Sequence, residues 1–190
     1  MNFDDIIITS LVRYGEADCI ARVLTREHGR LSLFCRGGLK PSKRRGSMIQ
    51  TPARGRAAFK LKEGAGLSTL SELDLGSYTS TLASNLRSFS LSAYACEITE
   101  IFVPEHDLAP LIFETLDAFL NLAATTEITT KDIRHFEFKL LEICGLLSEE
   151  VAHETDPRKM ADIFAWHLKQ HKQTPLKSLA FFKQIGTKVP

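Results

Sequence analysis

The hydrophobic period of this 190-residue chain changes once, near residue 80, and that change limits the folds open to it. Before it, apolar residues come in short runs, at residues 6–12, 19–24, 31–34, 53–61 and 67–75, each about the length of a β-strand. The runs are separated by turn-forming residues. Tyr14-Gly15-Glu16-Ala17-Asp18 and His28-Gly29 supply glycines able to take the positive φ of a tight turn, and Lys62-Glu63-Gly64-Ala65-Gly66 is turn-like again. The longest connection, Gly37-Gly38-Leu39-Lys40-Pro41-Ser42-Lys43-Arg44-Arg45-Gly46-Ser47, has no periodicity and reads as a surface loop.

After the change the spacing is helical. Leu82, Leu86, Phe89, Ala93 and Cys96 form one stripe, and Leu91, Tyr94, Ile98 and Phe102 widen it, as in a helix packed on more than one side. That helix should end near Pro104. Asp107 can cap a second helix, and Thr129-Thr130-Lys131-Asp132 has capping-box spacing before a third, which Gly145 can stop. Asp156-Pro157 and Thr174-Pro175 each place a capping side chain before a proline suited to the first helical position, so two short helices should close the chain. The expected fold class is α+β: a five-stranded closed barrel of the OB type over residues 1–78, then an all-α part over residues 79–190.

Net charge is +1, but it is unevenly placed. Residues 1–62 hold 13 Lys and Arg against 5 Asp and Glu, a charge of +8, whereas the remainder holds 11 against 18, a charge of −7. The four cysteines, Cys19, Cys35, Cys96 and Cys144, are scattered without a Cys-x-x-Cys pair and read as buried reduced thiols. The opening Met1-Asn2-Phe3-Asp4-Asp5 is acidic where a secretory signal is basic, and no apolar run approaches the roughly 20 residues of a membrane helix. A soluble cytoplasmic protein is expected.

Arg36, Lys40, Lys43, Arg44, Arg45, Arg54, Arg56, Lys60 and Lys62 place nine cations within 27 residues with one acid-free stretch between the first and last. Such a stretch repels itself unless a polyanion crosses it, which points to nucleic acid. Arg13 joins Arg36, Lys40, Lys43, Arg44, Arg45, Arg54 and Arg56 as the candidate contacts. Aromatic platforms for base stacking are few, namely Tyr14, Phe34, Phe59 and Phe3, so binding without base specificity is expected. The competing reading is a solvated basic loop.

In the third helix, Arg134, Phe138, Lys139 and Leu141 combine cations with apolar residues. They could receive a peptide ending in a hydrophobic side chain and a carboxylate, or form an ordinary amphipathic helix. Catalysis has little support. His167 and His171 stand four apart with only His153 as an obvious third ligand, and the sequence has no phosphate-binding loop, nucleophile elbow or dinucleotide fingerprint. No catalytic residue, metal or other cofactor is expected.

Several segments together carry a family resemblance. Arg13-Tyr14-Gly15-Glu16-Ala17-Asp18, Val23-Leu24-Thr25-Arg26-Glu27-His28-Gly29-Arg30-Leu31, Arg36-Gly37-Gly38, Ser42-Lys43-Arg44, Gln50-Thr51-Pro52 and residues 70–75 resemble, in order and spacing, the N-terminal half of RecO, the bacterial recombination mediator family. Arg134-His135-Phe136-Glu137-Phe138-Lys139-Leu140-Leu141 is similar to that family's Arg-x-Phe-Glu helix, and Leu176-Lys177-Ser178 to its last segment. The resemblance implies an OB-fold that holds single- and double-stranded DNA, annealing of complementary strands, and help in loading RecA onto DNA coated by the single-strand binding protein. It also implies two partners, RecR and the acidic C-terminal tail of the single-strand binding protein, the latter docking at Arg134, Lys139 and their apolar neighbours. Many relatives carry a four-cysteine zinc module that residues 146–156 do not contain. The rival readings are a protein adaptor that does not bind DNA and uses the helical groove, and a metal-dependent hydrolase built on His153, His167 and His171.

Overall fold

The computed structural model describes residues 1–41, 49–62, 66–76, 81–82, 84–105, 110–172 and 175–178. Five strands, β1 (Asn2–Tyr14), β2 (Asp18–Thr25), β3 (Arg30–Cys35), β4 (Ala53–Lys60) and β5 (Ser68–Leu75), close into a barrel of order β1-β2-β3-β5-β4. All neighbours are antiparallel except β3 and β5. This is the expected five-stranded OB-type barrel. Four helices follow among the described residues: α1 (Leu86–Phe102), α2 (Pro110–Thr125), α3 (Thr130–Ile143) and α4 (Pro157–His171).

Strand β1 is longer than the sequence pattern suggests, at 13 residues, because it serves two neighbours. Its first half pairs with β4 from Asn2↔Phe59 to Ile8↔Ala53, and its second with β2 through Tyr14↔Asp18, with a bulge between Ile8 and Ser10. Ile6 and Ile8 point into the barrel with Val23, Leu31, Leu33, Ala57 and Phe59. The interior is narrow at Gly55, where an added Cβ would lie 2.4 Å from the Asp74 carbonyl oxygen, so β4 and β5 approach only because that side chain is missing.

Ile7 points the other way, and with its cross-strand partner Leu24 it belongs to the core of the helices, among Leu91, Phe102, Phe113 and Leu116. The helices therefore pack on the outside of β1 and β2. Around this apolar contact lies a ring of ionic contacts between barrel and helices. Arg22 pairs with Glu100 at 3.2 Å, and Thr9 Oγ1 donates to the same carboxylate at 2.5 Å. Arg26 pairs with Glu114 and lies over the Phe113 ring, 4.9 Å from its centroid. Arg30 Nε donates to the Val103 carbonyl at 2.7 Å, and Ser32 Oγ to Glu105 at 3.0 Å. Arg54 is shared by Asp5 at 3.5 Å and Asp117 at 3.0 Å, the latter close enough for charge pairing but too misaligned for a hydrogen bond. Burial raises the Asp117 carboxyl above its ordinary range, and Arg54 opposes that shift.

The helix ends follow the expected signals where they are described. Regular α1 starts later than residue 80, behind Asn85, whose side chain accepts from the Arg87 and Ser88 amides. Thr129 and Asp132 close a reciprocal capping box, and Asp156 caps α4 ahead of Pro157. Gly145, at φ 68°, ends α3: its own N–H reaches Glu142 O and the next amide reaches Leu141 O, the paired bonds of a Schellman turn. Asp107, Thr174 and the rest of the expected last helix beyond 178 lie outside the described residues.

Helix α3 is buried on more of its circumference than its apolar stripe suggests. Arg134 and Glu137 lie inside with Ile133, Phe136, Phe138, Leu140 and Leu141. The Glu137 carboxylate is fully buried, pairs with Arg134 and accepts from Tyr94 Oη at 2.5 Å. Burial pushes the Glu137 carboxyl up to about 7, against the pull of Arg134 and of the Tyr94 hydrogen bond.

Three outcomes are expected. Gly55→Ala should lower stability by about 1–3 kcal/mol through overpacking, read as a lower urea midpoint at unchanged slope. Arg134→Ala should cost about 3–5 kcal/mol, because it strands a buried carboxylate, and an unchanged melting temperature would contradict the buried pair. The folded chain holds the Glu137 proton to higher pH than the unfolded chain, whose carboxyl titrates near 4.5. Its contribution is thus complete below that pH and lost as pH rises through about 7. Denaturant unfolding between about pH 5 and pH 8 should show this decline, and Glu137→Gln should flatten it at the cost of lower stability throughout.

Candidate nucleic-acid interface

The cations nominated from the sequence fall into separate places on the molecule. On β4, Arg54, Arg56 and Ala58 alternate outward between the inward Gly55 and Ala57, as a two-residue period requires. Arg54 faces the helices and is engaged by Asp5 of β1 and Asp117 of α2. Arg56, two residues on, is exposed and stands in register between Asp5 of β1 and Asp74 of β5.

The turn after β3 brings two more cations to the same side. Gly37 adopts φ 62° and donates its N–H to Asp18 Oδ1 at 2.7 Å, while Lys40 N reaches Gly37 O at 3.2 Å. Gly38 is needed for closeness, since a Cβ there would stand 2.5 Å from Cys19 Sγ. Folded this way, the turn overhangs a cleft of about 1240 Å³ on the outside of β4 and β5, lined by Arg36, Lys40, Arg56, Phe3, Glu72 and Asp74 among others. Arg36 and Arg56 enter no ion pair among the described residues.

Phe3 is 58% exposed at the cleft edge. Of the other aromatic candidates, Phe59 is wholly buried in the barrel, with the His28 ring edge-on at 5.4 Å. Tyr14 and Phe34 meet edge to face at 5.7 Å on another face. Counting back by twos from the inward Ile6 places Phe3 outward, so a signal for its exposure was present in the strand alternation.

The remaining nominated cations divide three ways. Arg13 is exposed at the end of β1, away from the cleft lining. Lys60 is exposed at the end of β4, and Lys62 is exposed just beyond it. Lys43, Arg44 and Arg45 lie outside the described residues. Three cations that were not nominated, Arg22, Arg26 and Arg30, prove to be structural, each committed to a helix carboxylate or carbonyl.

The four side chains expected to receive a peptide do not form an open pocket. Arg134, Phe138 and Leu141 are buried, the first on Glu137, whereas Lys139 is exposed and pairs with Glu142 at 2.8 Å. The reason is helical geometry: steps of four and three keep 134, 138 and 141 on one inward face, and 139 falls elsewhere. The spacing Arg134-x-x-Glu137 signalled the pair, but its third member, Tyr94, is 43 residues away.

His171 Nδ1 lies 2.9 Å from the His167 carbonyl oxygen, and its ring packs on Phe102 at 5.2 Å. Among the described residues, no three His, Cys, Asp or Glu side chains converge as metal ligands, and no helix is long and apolar enough to cross a membrane.

Comparison with known proteins places this barrel. Residues 1–78 match the family model described as "Recombination protein O N terminal". Curated proteins named "DNA repair protein RecO" are similar beyond the barrel. The protein from Pelobacter propionicus is 30% identical over 138 residues, 73% of this chain and 56% of the relative. That from Bacillus pumilus is 30% identical over 145 residues, 75% and 55% of the two chains, and that from Myxococcus xanthus 27% over 144 residues, 76% and 59%. The chain thus aligns with little more than half the length of these relatives. With a matching N-terminal barrel and this similarity continuing into the helices, the chain is similar to RecO proteins.

Proposed function

We propose that this chain is a DNA-binding mediator of recombinational repair that works without catalytic residues. The observation carrying the proposal is the cleft on a RecO-type barrel where Arg36, Lys40 and Arg56 stand beside an exposed phenylalanine. Cations spaced along a groove neutralise phosphates, and an exposed ring gives a base a surface to stack on. The carboxylates of Glu72 and Asp74 on the cleft wall leave the Arg36 and Lys40 rim as the phosphate side. Annealing of complementary strands follows from charge: a body that screens two phosphate backbones lets the strands approach and pair.

The finer parts of the reading extend from relatives named for DNA repair. The protein binds single- and double-stranded DNA, assists RecA loading onto DNA coated with single-strand binding protein, and acts in the cytoplasm at the nucleoid. Residues 1–78 form the DNA-binding domain and residues 79–190 a partner-binding domain. The acidic excess of the helical part suits a protein-facing role, with RecR and the tail of the single-strand binding protein as partners. Of the four residues nominated for the tail, Lys139 is the one the fold leaves at the surface.

Fluorescence anisotropy with a labelled single-stranded oligonucleotide at several salt concentrations tests the proposal. Log affinity should fall linearly with log salt, at about 0.7 per phosphate contact. The double variant Arg36→Glu, Arg56→Glu should weaken binding to every sequence and make the slope shallower by roughly 1.4. No saturable binding at low salt would reject the DNA reading and leave the adaptor.

A further inference from the structure

Two rows of side chains cross the outer face of β4, and they differ in what they offer a ligand. In the first, the register sets Phe3 of β1 opposite Ala58 and Ala58 opposite Glu72 of β5. In the second, Asp5, Arg56 and Asp74 stand in line. Neighbouring strands lie about 4.8 Å apart, so the Phe3 and Glu72 backbones are separated by roughly 10 Å across Ala58. Arg56 is two residues along β4 from Ala58, about 7 Å away. Ala58 is small and 2% exposed, so the first row is a shallow trough, with a methyl group as its floor, an exposed ring on one side and a carboxylate on the other.

Glu72 is out of place on a surface that only neutralises phosphates. It is exposed, and among the described residues it enters no ion pair and no side-chain hydrogen bond. Asp74 shares its row with Arg56, whereas the Glu72 row holds no cation. A carboxylate in the same cleft as Arg36, Lys40 and Arg56 repels a phosphate backbone and weakens binding that depends on charge alone. The same carboxylate attracts hydrogen-bond donors. Guanine is the one DNA base that presents two adjacent donors, N1–H and the 2-amino group, and they match the two oxygens of a carboxylate. Adenine and cytosine offer one amino group beside an acceptor nitrogen, and thymine offers one N–H between two carbonyl oxygens. Each of those would set an acceptor against the second carboxylate oxygen.

We propose that the trough of Phe3, Ala58 and Glu72 is a guanine-selective subsite of the β4–β5 cleft. The base stacks on the Phe3 ring and turns its Watson–Crick edge to Glu72, which accepts from N1–H and the 2-amino group. Arg56, one step along the strand, neutralises the phosphate of the same nucleotide. The edge that Glu72 reads is occupied in a duplex, so the subsite takes an unpaired guanine and excludes a paired one. The inference rests on the DNA reading above and adds a base preference that cations and a ring do not supply.

The test compares the affinity of the full chain for a labelled thymidylate octamer with that for the same octamer carrying one central guanine, inosine or adenine. The guanine octamer should bind about fivefold tighter than thymidylate. Inosine, which lacks the 2-amino group, should lose most of that gain, and adenine, which stacks as well as guanine, should lie near thymine. All the affinities should fall together with salt while their ratios hold, because the octamers carry the same phosphates. Glu72→Gln should abolish the guanine preference and leave the thymidylate octamer bound at least as tightly, since an anion has been removed from beside the phosphates. Asp74→Asn should keep the preference. Equal affinity for the guanine and thymidylate octamers, inosine binding as tightly as guanine, or a preference that survives Glu72→Gln would overturn the subsite and leave the DNA reading intact. No saturable binding of any octamer would overturn both.

Discussion

The outward turn of Ile7 and Leu24 into the helical core is the contact on which the rest of the molecule depends. A barrel of this size normally buries one face of each strand. Here β1 carries apolar residues on both, and its second face is covered only if the helices dock there. The guanidinium groups around this contact fix the docking more narrowly, because Arg22, Arg26, Arg30 and Arg54 each find a helix acceptor. Such partly exposed pairs contribute little stability singly, so their value lies in orientation, while apolar burial supplies the driving force.

This seam changes the meaning of the charge asymmetry. A +8 front and a −7 rear look like two surfaces for two kinds of partner. Part of that asymmetry is instead satisfied within the chain, at the line where barrel and helices meet. The cleft away from the helices is lined by a smaller and more localised set, Arg36, Lys40 and Arg56. The cationic surface is therefore shaped by subtraction: the helices take the cations on one side and leave those on the other.

The buried triad of Tyr94, Glu137 and Arg134 serves a related purpose inside the helical part. Three helical residues from α1 and α3 meet where apolar contacts alone would allow sliding, and hydrogen bonds have only one good register. A side chain that looks like a surface cation in the sequence thus becomes a fixed internal contact. The same pattern holds at Arg54. In both cases a carboxylate desolvated by the fold holds the cation in place.

The sequence by itself determined the elements: five strands and their turns, the switch to helices, the capping box at Thr129 and the stop at Gly145, because these depend on periodicity and on residues within a turn of one another. It also determined that the excess of cations lies in the barrel segment, since they are adjacent in the chain. Tertiary structure decided which cations face outward, since Asp117 meets Arg54 and Tyr94 meets Glu137 only after distant segments pack. It likewise decided that Phe3 lies in one groove and Tyr14 with Phe34 on another face, because barrel closure and register, rather than spacing along the chain, bring those strands side by side.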